Sequence, residues 1–181
     1  MSTPRHPDPV KLISSVFSGE RALMATVIEA LSGEFGAPDF ISEWMPFDYT
    51  DYYHREMGPS LLRRFVSFED LIDPGALPRI KKITNRIEET HGSAGCRRVN
   101  IDPGYISRAQ LILATGKEYA HRPYLGDGIY ADLTLIYRDH TFHPLEWTYP
   151  DYGAEETREM FNILRKRYLI QLTEKEREGT N

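Results

Sequence analysis

Apolar positions along this chain recur with two periods, and the switches between them mark its elements. Residues 10–17 (VKLISSVF) alternate, which predicts a strand with Val10, Leu12, Ser14 and Val16 on one face. Ser18 is placed to cap a helix in which Leu23, Met24, Val27, Ile28, Leu31 and Phe35 recur at one-face helical spacing. Gly36 and Pro38 end it. Residues 40–48 predict a second strand, interrupted at Pro46, and residues 61–68 a third. Between them Tyr49, Tyr52 and Tyr53 interleave with Asp48, Asp51, His54, Arg55 and Glu56. Asp73-Pro74-Gly75 opens a second helix, with proline in the first turn where a missing N–H costs nothing. Its stripe is Leu77, Ile80, Ile83, Thr84 and Ile87, and Gly92 closes it.

The second half is richer in two-residue alternation. Residues 97–101 predict a strand that ends in a turn at Asp102-Pro103-Gly104, and residues 109–115 a central strand. The clearest strand is 128–137, with Ile129, Ala131, Leu133, Leu135 and Tyr137 on one face and Tyr130, Asp132, Thr134 and Ile136 on the other. After a turn at 138–141, residues 142–148 return as an edge strand limited by Pro144. A last helix over 155–172 carries Met160, Phe161, Leu164, Tyr168 and Leu172 in its stripe. Residues 1–8 and 173–181 read as frayed ends of one domain spanning 1–181. The pattern predicts an α+β fold: a mixed, mostly antiparallel sheet with helices packed on one face. The first six elements follow the ferredoxin-like βαββαβ order, and a β-meander and C-terminal helix come after.

Composition narrows the function classes. Twenty-two Lys and Arg against 27 Asp and Glu leave a net charge of −5, which speaks against broad phosphate-backbone binding and so against a nucleic-acid partner. The basic clusters Arg63-Arg64, Lys81-Lys82, Arg97-Arg98 and Arg165-Lys166-Arg167 do not interleave with aromatics and read as solvated surface. The single cysteine, Cys96, allows no intrachain disulfide and no cysteine-based zinc cage. No apolar run reaches the roughly 18 residues of a spanning helix, and no secretory h-region is seen. These features predict a cytoplasmic protein without a membrane partner.

Candidate chemistry gathers between Asn100 and Tyr152. Gly116-Lys117 follows an apolar run, but Leu111 stands where a phosphate loop needs its upstream glycine and Glu118 where it needs a hydroxyl. The chain is therefore no P-loop nucleotidase. Gly126-Asp127-Gly128 reads as a tight hairpin turn. Lys117, His121 and Arg122 put three anion-binding groups close together among tyrosines. His121 is a neutral-pH acid/base candidate, and Asp132, on the strongest strand, is its carboxylate counterpart. Tyr124, Asp127 and Tyr130 complete a set that could wall and orient a ligand. His140, His143 and Glu146 hold metal-binding atoms, but three-residue spacing on a strand sends the histidines to opposite faces. The predicted site therefore contains no metal, and no serine sits in a nucleophile-elbow motif.

Several runs together resemble an uncharacterised bacterial family catalogued as domain of unknown function 4416. They are Asn100-Ile101-Asp102-Pro103-Gly104-Tyr105, then Leu113-Ala114-Thr115 with Lys117, then His121-Arg122-Pro123-Tyr124-Leu125-Gly126. Gly128-Ile129-Tyr130-Ala131, Leu135-Ile136-Tyr137 and Trp147-Thr148-Tyr149-Pro150-Asp151-Tyr152 extend the likeness, as do Pro9-Val10-Lys11-Leu12 and the Pro46–Tyr53 aromatic segment. The resemblance covers roughly residues 9–170 and implies a stand-alone bacterial cytoplasmic protein, without implying an activity or a cofactor.

The expected function is binding of a small anionic ligand, a nucleotide or other phosphorylated metabolite. Lys117 and Arg122 would hold the anion, and Tyr124 and Tyr130 would form walls. The alternative is a noncatalytic protein–protein interaction module, in which the edge strand near residues 142–147 pairs with a partner.

Overall fold

The computed structural model of the protein describes residues 3–93 and 95–178. The predicted fraying of residues 1, 2 and 179–181 lies outside them. In chain order the elements are β1 (Val10–Ser18), α1 (Arg21–Phe35), β2 (Pro38–Ile41), β3 (Met45–Pro46), a short α2 (His54–Met57) and β4 (Leu62–Ile72). After a single 3-10 turn, Pro74–Ala76, come α3 (Leu77–Thr90), β5 (Val99–Ile106), β6 (Gln110–Thr115), β7 (Tyr124–Gly126) and β8 (Ile129–Arg138). The chain finishes with β9 (Thr141–Pro144), α4 (Pro150–Gly153) and α5 (Glu155–Glu178). Helix α5 thus runs past Leu172, where the apolar stripe stops.

The sheet has the order β2-β4-β1-β5-β6-β8-β7, with β3 beside β4 and β9 beside β8. Every pairing is antiparallel. The run β2-β4-β1-β5, with α1 and α3 as its crossovers, is the ferredoxin-like arrangement that the element order predicts. The meander then lengthens the sheet on the β5 side.

Helices cover both faces rather than one. Leu12, Val16, Val66, Phe68, Val99 and Ile101 pack under Met24, Val27 and Leu31 of α1 and Ile80 of α3. On the opposite face Ile13, Phe65, Ile106, Leu111, Leu113 and Leu135 meet Phe161, Leu164, Tyr168 and Leu172 of α5. The longer sheet exposes a second apolar face, and burying that face drives α5 onto it. All nine residues of β1 are consequently buried, including Lys11, whose ammonium bonds to Asp39 and to Gln171 Oε1 at 2.9 Å.

Three local predictions change. Ser18 does not cap α1; its Oγ accepts from Glu20 N–H at 3.0 Å and donates to the Arg98 carbonyl at 2.6 Å, tying the end of β1 to the loop before β5. Leu133 and Leu135 do not share a face. The β6–β8 register runs Leu111 to Leu135 but Ile112 to Leu133, so Thr134 is an extra residue at a β-bulge and reverses the alternation. Asp102-Pro103-Gly104 is the middle of β5 rather than a turn.

That last segment is where the sheet forks. Strand β5 pairs with β1 along its whole length, from Val99 to Ile106. It pairs with β6 only from Gly104 to Ile106. Below Gly104, β5 stays with β1 while β6 stays with β8. At the crotch a Cβ on Gly104 would collide with the Ile112 carbonyl oxygen. Gly104→Ala must therefore push the strands apart and is expected to destabilise the protein by about 2–4 kcal/mol. Urea denaturation measures this; an unchanged midpoint would mean that the crotch is looser than the fork requires.

Candidate functional site

A cavity of about 910 Å³ occupies the fork. Asn100 and Asp102 of β5 form one side, Leu113 to Lys117 of β6 and its continuation with Asp132 of β8 the other, and α3 closes the gap with Lys81, Glu88 and Glu89. The unpaired β5 backbone is satisfied by α3 side chains. Ile101 N–H donates to Glu88 Oε1 at 2.5 Å, and Lys81 Nζ donates to the Ile101 carbonyl at 2.8 Å and to Asp102 Oδ1 at 3.3 Å. Asn100 Nδ2 donates to the other Asp102 oxygen at 2.8 Å. Glu88 is only 8% exposed, and burial pushes its carboxyl up to about 7 in spite of the Lys81 charge.

The floor is built on Arg63 of β4, which is 5% exposed. Its Nη1 donates to the Asp151 carboxylate of α4. Its guanidinium stands 4.3 Å from the Phe47 ring centroid, 5.3 Å from Phe65 and from Tyr152, and 5.6 Å from Phe17. Arg63 Nε is buried without a partner among the described residues. The Tyr152 hydroxyl, 3% exposed at the residue level, makes no well-formed hydrogen bond, and burial pushes its pKa up.

The aromatic segment before β4 forms the rim. Phe17 stacks on Phe47 at 4.3 Å and meets Tyr53 edge-on at 4.8 Å. Arg97 grips Glu56 of α2 through Nε at 3.0 Å and Nη2 at 2.7 Å, and its Nη1 donates to Asn100 Oδ1 at 2.9 Å. The bond to Arg97 holds the Glu56 carboxyl below its ordinary range. Lys117 Nζ sits 4.6 Å from the Tyr52 ring centroid and 3.5 Å from its hydroxyl, and has no carboxylate partner among the described residues.

The residues singled out from sequence divide into three groups. Lys117, Arg122 and Asp132 come together at the cavity. Arg122 Nε and Nη2 bind Asp132 Oδ2 at 2.9 and 2.8 Å, and Nη1 binds the Lys117 carbonyl at 3.2 Å. His121 stands behind Asp132, its Nε2 3.8 Å from Oδ2 and its ring stacked 4.8 Å from Trp147, outside the lining. Tyr124, Asp127 and Tyr130 lie elsewhere. The two tyrosines pack edge-on at 5.2 Å on the β7–β8 hairpin. Asp127 sits in its turn at φ 55° and binds Lys82 at 2.9 Å. His140 occupies the β8–β9 turn at φ 66°, and His143 pairs opposite Ile136. Among the described residues no three His, Cys, Asp or Glu side chains are grouped to hold a metal.

Arg63, Lys81, Glu88 and Tyr152 were not anticipated. Arg63 and Lys81 read as solvated surface, yet are 5% and 7% exposed. A signal did exist: Lys81 follows Leu77, and Glu88 follows Thr84, by four residues in the phase of the α3 stripe, and Arg63 alternates with Leu61 and Phe65, so each is a charge in an apolar phase.

With this geometry in hand, the comparisons give one match. A family described as "Domain of unknown function (DUF4416)" matches residues 8–168, and the chain belongs to it. No curated protein and no solved structure matches the chain.

The raised Glu88 carboxyl has a stability consequence. Its pKa is about 7 folded against 4.5 unfolded, so the folded state binds the proton more tightly. Stability on this account falls as pH rises through that window and levels off above it. Lys81, Asp102 and Arg97 are the charges that face the group. Glu88→Gln should flatten the profile, with a difference of about 2–3 kcal/mol between about pH 5 and pH 8. Parallel wild-type and variant slopes in denaturant titrations would refute the assignment.

Proposed function

We propose that this family member binds a small anionic organic ligand, a nucleotide or other phosphorylated metabolite, in the forked sheet. The observation that carries the reading is Lys117, a rim cation without a carboxylate partner among the described residues, beside a cavity of about 910 Å³. Small-molecule sites run to roughly 300–1,000 Å³. The other cations in the lining are already matched: Arg63 by Asp151, Lys81 by Asp102, Arg97 by Glu56 and Arg122 by Asp132. The rim is thus the part of the cavity with uncompensated positive charge. Arg122 acts mainly as a positioning group, since its fork spans Asp132 and the Lys117 carbonyl. Tyr52 and Tyr149, both exposed, offer ring faces at the entrance. Acid/base chemistry, if the ligand is turned over, falls to Asp132 and Glu88, which face the cavity; His121 reaches it only through Asp132. The lone, exposed Cys96 supports the further reading of a cytoplasmic location.

The test is a thermal-shift and calorimetric screen with inorganic phosphate, pyrophosphate and nucleotides. Anions are expected to raise the melting temperature, and Lys117→Met to weaken binding at least about tenfold, or 1.4 kcal/mol. A protein that ignores every anion, or a variant that responds in full, would sink the reading.

One observation favours the protein–protein alternative, and it lies away from the predicted edge. Strand β9 is an edge strand as predicted, with β8 as its one neighbour among the described residues, as β8 is for β7, but its neighbour in sequence Trp147 is tied down, donating to the Leu133 carbonyl at 2.8 Å. Strand β7, last in the sheet, instead leaves Tyr124 and Leu125 exposed at 62% and 43%. If this edge docks a partner strand, Leu125→Lys should abolish a stoichiometric complex in pull-downs; capture that survives the change removes the alternative.

A further inference from the structure

We infer that the ligand enters head first and seats an uncharged, carbonyl-bearing planar group on Arg63 and Tyr152 at the cavity floor. This rests on the preceding reading and assigns the other end of the same ligand.

Charge decides against an ion at the floor. Arg63 is balanced by Asp151, and Asp102 by Lys81. A second anion there would face two carboxylates, and a cation would face Arg63. Hydrogen-bond capacity decides for an acceptor. The guanidinium carries five N–H donors, and its one hydrogen bond among the described residues is Nη1 to Asp151. Among the described residues Nε has no partner, and the Tyr152 hydroxyl has none beyond Ser15. Ser15 Oγ, which interacts with the Tyr152 hydroxyl, has no other partner among the described residues, so a bond between the two would still leave one O–H proton unused. Burying such donors without acceptors is costly, because each gives up its bond to water and gains none in return. Both residues are more than nine-tenths buried and both line the cavity, so the missing acceptor can arrive through it.

Shape narrows the acceptor further. Phe17 and Phe47 are sealed against each other, but the half-buried Tyr53 ring beside them lines the cavity and suits a planar group. An uncharged ring with a carbonyl oxygen inward and an anionic tail toward Lys117 satisfies both ends. The class is a heterocyclic phosphate ester whose ring carries a keto oxygen.

Calorimetry on the full chain tests this with uridine and inosine monophosphates against ribose 5-phosphate, which keeps the tail and lacks the ring. At least one nucleotide is expected to bind tenfold or more tighter than ribose 5-phosphate. Tyr152→Phe should remove most of that gap, leave ribose 5-phosphate affinity unchanged, and keep or raise the melting temperature, because the hydroxyl it deletes has no partner beyond Ser15 among the described residues. Lys117→Met should weaken all three ligands. Equal binding of ribose 5-phosphate and both nucleotides, a gap that persists in Tyr152→Phe, or a loss of stability in that variant would overturn the floor assignment and leave the anion reading intact. Failure of all three ligands to bind would overturn both.

Discussion

A β-sheet can divide only if something satisfies the backbone groups that its strands stop offering each other. In this protein that constraint falls on Ile101, which has lost β6 as a neighbour but keeps β1. Lys81 and Glu88, two turns apart on the same face of α3, take its carbonyl and its N–H. A buried unpaired amide costs about as much as a lost hydrogen bond. Without these two side chains the Ile101 amide would be left unpaired inside the fork. Gly104 acts at the other end of the fork, permitting the strands to meet where a side chain would hold them apart.

The same constraint shapes the electrostatics. Charges drawn into the fork are matched almost one for one, because an isolated buried charge is too costly to keep. Arg63 with Asp151 and Arg122 with Asp132 join parts of the chain that are far apart in sequence or that bracket the β7 hairpin. Asp151 comes from the short helix leading into α5, so its bond to Arg63 also seats that helix against the sheet. What remains unmatched is informative: the Lys117 charge at the rim, and the donors of Arg63 and Tyr152 below. A cavity whose deep charges are paired and whose rim carries the Lys117 cation suits a ligand with a polar head and an anionic tail.

Much of the site was visible one residue at a time and invisible as an arrangement. Lys117 and Arg122 stand out as anion-binding groups a few residues apart, and Asp132 as a carboxylate on the clearest strand; their short sequence separation keeps them close in the fold. Tyr124 and Tyr130 looked equally apt, but the hairpin turns them toward each other and away from the fork. Arg63, Lys81 and Glu88 come from β4 and α3, and no local pattern says that these reach the same concavity as β6. Their one trace was a charge in an apolar phase, a trace shared by any solvated arginine at a strand end.

Residue order by itself determined the order of the long strands and helices, the α+β class, the ferredoxin-like core and the hairpin turn at Asp127-Gly128, because periodicity and glycine conformations act over a few residues; the short β3, α2, β7 and α4 carry too few residues to show a period. Only the folded chain decided that α5 covers the second face, that Thr134 bulges and reverses the alternation of β8, and that β5 and β6 part at Gly104. Those outcomes depend on which surfaces meet across long sequence separations. Burial, with the demand that every buried polar group find a partner, is settled there and not in any local window.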